Sequence, residues 1–302
     1  MESYVIVIGA ARVDASGRSF SSPRDGEPNP GRIFRSLGGA GRNIALNLRL
    51  LDIPVKLVTV FGGDYWANRL RGEFAAAGVD VSLSLSLPGE LTPVNISILD
   101  AEGMPRFAIS DAELFSKLTT EYLESISHEI NGAQAVVFDA DIPEESIKKL
   151  AEMCKPPLIA DPVSAIKAEK LREVLPQLFA VKPNIYEAET LTGICIESDY
   201  RLKKAAEALF DAGVENIYIS LGKDGIFAKR GDFETLVPCV AERTKSSAGA
   251  GDAAVAAIVW AHLQGMDIRE SAVASQAAAD ITLSSPEIVS PSLSPKALRN
   301  KM

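Results

Sequence analysis

From Leu114 onward, short apolar runs alternate with segments whose apolar residues recur at helical spacing, and this rhythm restricts the fold more than any other feature. The runs at 135–138, 158–160, 180–182 and 216–221 are too short for helices and read as strands. Helices are predicted between and after them, at Glu144–Met153, 168–175, 186–192 and 200–212. Strands separated by helices must cross over, so they pair in parallel under helices on both faces. Val5-Ile6-Val7-Ile8, ended by Gly9, reads as another buried strand of this kind. A strand at 55–61 and a helix from about 66 to 77, stopped by Gly78, follow it. A hairpin near 226–238 and a last helix over 268–283 complete an α/β expectation with a mostly parallel central sheet.

Two stretches break the rhythm. Residues 16–32 are polar and rich in Ser, Pro and Gly, with no helical period, and read as an excursion from the core. The segment 94–100 alternates apolar and polar side chains, and 106–111 pairs with it plausibly across Ala101-Glu102-Gly103-Met104-Pro105. Together they predict a small β layer standing off the main sheet. With no internal repeat and no long linker, the expectation is one domain over 1–302, with a lid at about 14–35 and 90–112.

Composition narrows the function classes. A formal charge of −9 argues against non-specific binding to nucleic acid or an anionic membrane. Cys154, Cys195 and Cys239 are odd in number and have no metal-type spacing, as in a reduced cytoplasmic protein. The opening residues lack the basic start and long apolar run of a signal peptide, and no apolar stretch is long enough to span a bilayer. With only His128 and His262, a histidine-based triad or metal site is not expected.

Two glycine-rich turns open predicted helices. Ser246-Ser247-Ala248-Gly249-Ala250-Gly251-Asp252 runs straight into an Ala/Val-rich helix, and Gly38-Gly39-Ala40-Gly41-Arg42-Asn43 into another. Such turns aim free backbone N–H groups and the positive end of a helix dipole at whatever lies in front. A flexible entry loop, or an Asp252 that merely caps its helix, would use the same residues. Polar residues also gather at the predicted strand ends, where open α/β sheets bind ligands: Asp14, Asp64, Asp139, Asp141, Asp161, Asn184 and Gly222. Together they suit hydroxyl binding and a divalent ion. The turn after the first strand lacks the G-x-G-x-x-G spacing of a dinucleotide site.

With these residues assembled, the chain resembles the ribokinase-like (PfkB) family of sugar and nucleoside kinases over essentially its whole length. Gly38-Gly39 with Asn43, Ala45 and Leu48, then Gly63-Asp64, is similar to the family's first signature; Gly249-Ala250-Gly251-Asp252 is similar to its second. Asn184 and Glu187 stand between them as the family's N-x-x-E motif. Longer segments, Asn29-Pro30-Gly31-Arg32-Ile33, Asp161-Pro162-Val163-Ser164-Ala165 and Lys182-Pro183-Asn184, are similar to a branch of the family that acts on a nucleoside.

The resemblance implies a three-layer α/β/α ribokinase-like fold and a cytoplasmic, ATP- and Mg²⁺-dependent kinase of a small nucleoside or sugar. By it, Asp252 is the general base, and Gly249, Ala250 and Gly251 form the anion hole for the phosphoryl group in transit. Asp14, Gly39 and Asn43 bind ribose hydroxyls, with Gly38 beside them; Asp111, like Val94 and Asn95, is a further acceptor-side candidate by position alone and not by the resemblance. Glu187 organises Mg²⁺ together with Asn184, while Asn184, Gly222 and Gly225 serve the nucleotide. In relatives the lid often pairs two subunits, so a homodimer is expected. The chain departs from the family at Ser246, where an Asp commonly helps hold an activating monovalent cation. Dependence on such a cation is therefore left open. The alternatives are another kinase of the family, acting on ribose, adenosine, a sugar phosphate or a keto-deoxy sugar acid, and a nucleoside- or ATP-binding regulator without turnover.

Overall fold

The structure, a computed structural model, describes residues 3–241 and 248–302. Val5–Ile8 (β1) is closed to solvent at every position. Val5 and Val7 enter one hydrophobic core and Ile6 and Ile8 the other, as the two-residue period of a strand dictates. A sheet with apolar cores on both faces explains the unbroken apolar runs.

Arg12–Ser19 (β2) and Gly31–Gly38 (β3) follow, then Ala40–Leu50 (α1), Val55–Val58 (β4), Val60–Phe61 (β5) and Tyr65–Ala77 (α2). Leu85–Ser86 (β6), Val94–Leu99 (β7) and Pro105–Ser110 (β8) lead to the short helices Thr120–Ser125 (α3) and Ser127–Asn131 (α4). Next come Ala135–Asp139 (β9), Glu144–Met153 (α5), Leu158–Asp161 (β10), Ala165–Ala168 (α6), Ala180–Val181 (β11), Ile185–Thr192 (α7), Asp199–Asp211 (α8) and Asn216–Ser220 (β12). The hairpin Ile226–Arg230 (β13) and Phe233–Val237 (β14) precedes Ala250–Leu263 (α9), Ile268–Leu283 (α10) and Pro295–Lys301 (α11).

Eight strands form the main sheet in the order β14-β13-β12-β11-β10-β9-β1-β4. It is parallel from β4 to β12 and antiparallel through the β13–β14 hairpin. Residues 253–261 of α9 are all buried, so this helix is apolar around its whole circumference and packs against α1 and α10. Its first turn is thereby held rigidly at the carboxyl edge of the strands.

A second sheet, β3-β2-β7-β8, stands off the main one. The β2–β7 pair is parallel and the other pairs antiparallel. Register puts Asp14, Ser36 and Asn95 on one face, and Gly17, Ile33, Ile96, Ile98, Phe107 and Ile109 on the other. On that second face Ile33, Phe107 and Ile109 are 71%, 67% and 74% exposed.

Several local expectations change. The polar excursion of 16–32 begins and ends in two paired strands, and residues 20–30 between them leave the sheet. The expected strand at 55–61 breaks at Thr59, after which β5 leaves the main sheet to pair with β6. The helix expected at 168–175 is instead α6 followed by 3-10 turns over Glu169–Gln177, whose Pro176 lacks an N–H to continue a helix. Among the described residues no helix is long and apolar enough to cross a membrane.

Candidate active site

The site begins with the way β1 and α1 are tied. Asp139, at the end of β9, accepts hydrogen bonds from the backbone N–H groups of Ala10 and Gly41, both at 2.8 Å, and of Asp141 at 3.0 Å. Burial and the neighbouring Asp141 push the Asp139 carboxyl up to about 7, against the pull of those three N–H groups. Asp139 is therefore a structural hub, and with Asp141 it is absent from the cavity lining. Asp64 likewise turns inward: it caps α2 through Ala67 N–H at 2.9 Å and accepts from Thr92. Asp139 and Asp64 are thus corrected from ligand candidates to supports of the backbone, and Asp141 to a partner of the Arg12 and Lys167 side chains.

Gly38-Gly39 joins the small sheet to α1. A Cβ on Gly38 would lie 1.8 Å from Asp14 Oδ2, and Gly39 sits at φ 102 with Ala10 O only 2.3 Å from where its Cβ would be. The pair thus gives the Asp14 carboxylate its space and lets the turn close. Asp14 accepts from Arg12 Nε at 3.3 Å. Arg12 Nη1 also donates to Asp141 Oδ2 at 3.2 Å, and Lys167 forms an ion pair with the other Asp141 oxygen.

The second glycine turn caps α9. Gly249 is the residue before the helix, in the left-handed region at φ 81, and a Cβ there would be 1.9 Å from Ile288 O. Ala250, Gly251 and Asp252 form the first helical turn, where backbone N–H groups have no partner within the helix. Asp252 does not cap. It lies inside the first turn, and its Oδ2 accepts from Asn43 Nδ2 at 2.7 Å. Arg42 Nη1 donates to Asn43 Oδ1 at 2.6 Å, which fixes the amide so that its NH₂ faces the carboxylate. Burial in the cavity floor, with Asp161 and Asp139 nearby, pushes the Asp252 carboxyl up to about 7, while Asn43 and Lys182 oppose the rise. A carboxylate titrating there is suited to accept a proton at neutral pH.

Between these turns lie the ends of β10 and β11. Asp161 Oδ1 accepts from Val163 N–H at 2.8 Å, across a backbone turn that holds the β-branched Val163 at φ 64. Asn184 opens α7 in a reciprocal capping box: its Oδ1 accepts from Glu187 N–H at 3.0 Å, and Glu187 Oε2 accepts from Asn184 N–H at 2.8 Å. Burial raises the Glu187 carboxyl, Asp161 adds to the rise, and Lys182 and the Asn184 N–H oppose it.

These elements enclose a cleft of about 670 Å³ along the carboxyl edge of the strands. Arg12, Asp14, Gly39 and Asn43 line it on the β1 side, Gly222, Gly225 and Gln276 on the β12 side, and Asp252, Asp161 and Glu187 between. Of the expected site residues the structure brings together Asp14, Gly39, Asn43, Asn184, Glu187, Gly222, Gly225, Gly249, Ala250, Gly251 and Asp252. Gly38 supports Asp14 from behind. Asp111 does not join: it is exposed, and its Oδ1 accepts from Glu113 N–H at 3.1 Å. Ser246 lies outside the described residues. Lys182 and Arg12 line the cleft without having been singled out as site residues, although Lys182 is the last residue of a predicted strand.

Among the described residues there is no cluster of three or more His, Cys, Asp or Glu side chains able to hold a metal alone. The Asp161–Glu187 pair fits Mg²⁺, which is characteristically held by one or two carboxylates, waters and substrate phosphates.

A helix N-terminus with a carboxylate of raised pKa in its first turn, in a cleft of this size, suits transfer of a phosphoryl group to a hydroxyl. The chain belongs to the PfkB family: the model of the pfkB family carbohydrate kinases matches residues 2–295. Its fold is the ribokinase-like α/β fold, and kinases of this family use ATP with Mg²⁺ as the usual partner. It is 34% identical to pseudouridine kinase of Escherichia coli, over 97% of this chain and 94% of that one. It is 32% identical to an uncharacterised sugar kinase of the same organism, over 97% of this chain and 82% of that one. The crystal structure of ribokinase from Thermotoga maritima superposes with a TM-score of 0.88 at 20% identity, covering 99% of each chain.

Proposed function

We propose that the protein is a cytoplasmic kinase that transfers the γ-phosphoryl group of MgATP to the 5′ hydroxyl of pseudouridine. The observation that carries the choice of acceptor is the charge pairing on the β1 side of the cleft. Arg12, the basic lining residue on that side, is held by Asp14 and Asp141, so among the described lining residues no cation there is free for a distal phosphate or carboxylate. This favours a neutral acceptor over a sugar phosphate or sugar acid. Among neutral acceptors, the 34% identity to a pseudouridine kinase over nearly the whole chain supports that nucleoside.

In this reading Asp14 and Asn43 hold the ribose hydroxyls, and Asp252 takes the 5′ proton. The N–H groups of Ala250, Gly251 and Asp252 face the oxygens of the phosphoryl group in transit. Glu187, with Asp161, orients Mg²⁺, whose charge offsets that of the phosphates when it is bound. The nucleotide lies toward Asn184, Gly222 and Gly225. The small sheet acts as a lid whose polar face covers the acceptor and excludes water. Its opposite face, with Ile33, Phe107 and Ile109 largely bare, pairs with the same face of a second copy.

The 32% identity to a sugar kinase favours a second reading, in which a neutral free sugar is the acceptor. A coupled assay with MgATP against pseudouridine, uridine, adenosine, ribose and fructose 6-phosphate separates the two. Pseudouridine should give the highest kcat/KM; a faster ribose would move the assignment to the second reading, and a faster sugar phosphate would contradict the charge argument.

A further inference from the structure

Lys182 is 4% exposed and lines the cleft, yet among the described residues its ammonium has no hydrogen-bond or ion-pair partner. Among the described residues the side-chain polar atoms both buried and without a partner are those of Asn47, Thr59 and Ser290, so the Lys182 ammonium opens onto the cleft, where an anionic ligand can complete it. Its surroundings say which ligand. A Cβ built on Gly251 would stand 3.4 Å from Lys182 Nζ, so the ammonium sits beside the first turn of α9 and the glycine leaves the approach between them open. Its charge also acts on both Asp252 and Glu187, the two carboxylates that flank that turn. Helix N-terminus, base, Mg²⁺-side carboxylate and ammonium thus line one cleft, with the ammonium beside the helix turn. The other basic side chains lining the cleft are Arg12, which is paired, and Lys223, which is exposed at its rim.

We propose that Lys182 is a catalytic residue of the transfer, its ammonium holding the oxygens of the γ-phosphoryl group as it passes between substrates. The acceptor oxygen forms its bond to phosphorus while the bond from phosphorus to the bridging oxygen breaks. That electron pair leaves on ADP, and the acceptor's proton goes to Asp252. Lys182 keeps its proton throughout and supplies fixed charge where charge crowds in the transition state. The proposal rests on the family's phosphoryl transfer and not on which acceptor is used.

The test compares wild type with Lys182→Met and Lys182→Arg, using whichever acceptor the wild type turns over fastest. Lys182→Met should lower kcat by about 10²–10³-fold, the size of losing one preorganised donor at such a site. Affinity for MgADP alone should stay within about threefold, because the interaction belongs to the transition state. Affinity for MgADP with fluoroaluminate, a mimic of the phosphoryl group in transit, should fall in parallel with kcat. Lys182→Arg keeps the charge and should recover at least about tenfold of the loss. A Lys182→Met enzyme within about tenfold of wild-type kcat would overturn the proposal. So would an equal loss of affinity for MgADP and for its fluoroaluminate complex, since Lys182 would then be a ground-state anchor. The comparison of the two affinities needs no acceptor turnover, so it tests Lys182 even if the acceptor assignment fails.

Discussion

Replacing Asp252 by Asn should inactivate the enzyme and stabilise it. The carboxyl rises from an ordinary 3.8 to about 7 in the folded protein. The folded state therefore holds a proton that the unfolded chain releases near its ordinary value. Stability falls as pH rises through that window and stays lowered above it. Three units at about 1.4 kcal/mol each set an upper limit of about 4 kcal/mol. Asp252 opens partly onto the cleft, and the rise is shared with its neighbours Asp161 and Asp139, so about 1–3 kcal/mol is expected. Asn is neutral at every pH and can still accept the Asn43 hydrogen bond. At about 2 °C per kcal/mol for a chain of this size, Asp252→Asn should melt about 2–6 °C above wild type at pH 8. About a third of that gain should remain at pH 5. Loss of the base should meanwhile lower kcat by about 10²–10⁴-fold. Thermal unfolding at both pH values, beside a steady-state assay, reads all of this. A variant melting at or below wild type at pH 8, or gaining equally at both pH values, would refute the account of a carboxylate strained by burial.

The same carboxylate sets a pH limb: kcat/KM should rise through an apparent value near 7, and Asn43→Ala should move the limb upward, because the Asn43 N–H favours the ionised form. An unmoved limb in that variant would assign the titration to another group. Gly249→Ala combines a left-handed φ of 81 with a Cβ 1.9 Å from Ile288 O, so it should cost at least about 2 kcal/mol in urea unfolding and lower kcat by misplacing the first turn of α9. Wild-type stability and rate in that variant would mean the turn relaxes freely. Ile109→Glu, on the bare face of the small sheet, should convert a dimer into a monomer in sedimentation velocity; a wild-type monomer would remove the basis for pairing through that face.

Much of the fold was legible because parallel strands must be apolar on both faces, and Val5–Ile8 and the run before Asp139 look like nothing else. Both glycine turns were legible for a similar reason, since few residues tolerate the backbone at Gly39 and Gly249. The strand-end aspartates were not. A carboxylate that binds a hydroxyl and one that pins three backbone N–H groups, as Asp139 does, are the same residue in the same kind of place. Only the partners distinguish them. Asp111 illustrates the point: it lies outside the cleft lining, and its Oδ1 accepts from Glu113 N–H. Helix α11 carried a signal that went unused, Ser294 as N-cap followed by Pro295 at the first helical position. Lys182 gave no such signal: a lysine at the end of a short strand is normally solvated, and only the structure shows its stem covered and its ammonium beside the first turn of α9.

The most direct test of the central claim is to incubate the protein with MgATP and pseudouridine and locate the phosphate by phosphorus-coupled NMR of the product. The account predicts one equivalent of ADP per pseudouridine 5′-phosphate, with the phosphorus coupled to the C5′ protons, and no product from Asp252→Asn. Phosphate at another position, or ADP released without a phosphorylated nucleoside, would contradict it.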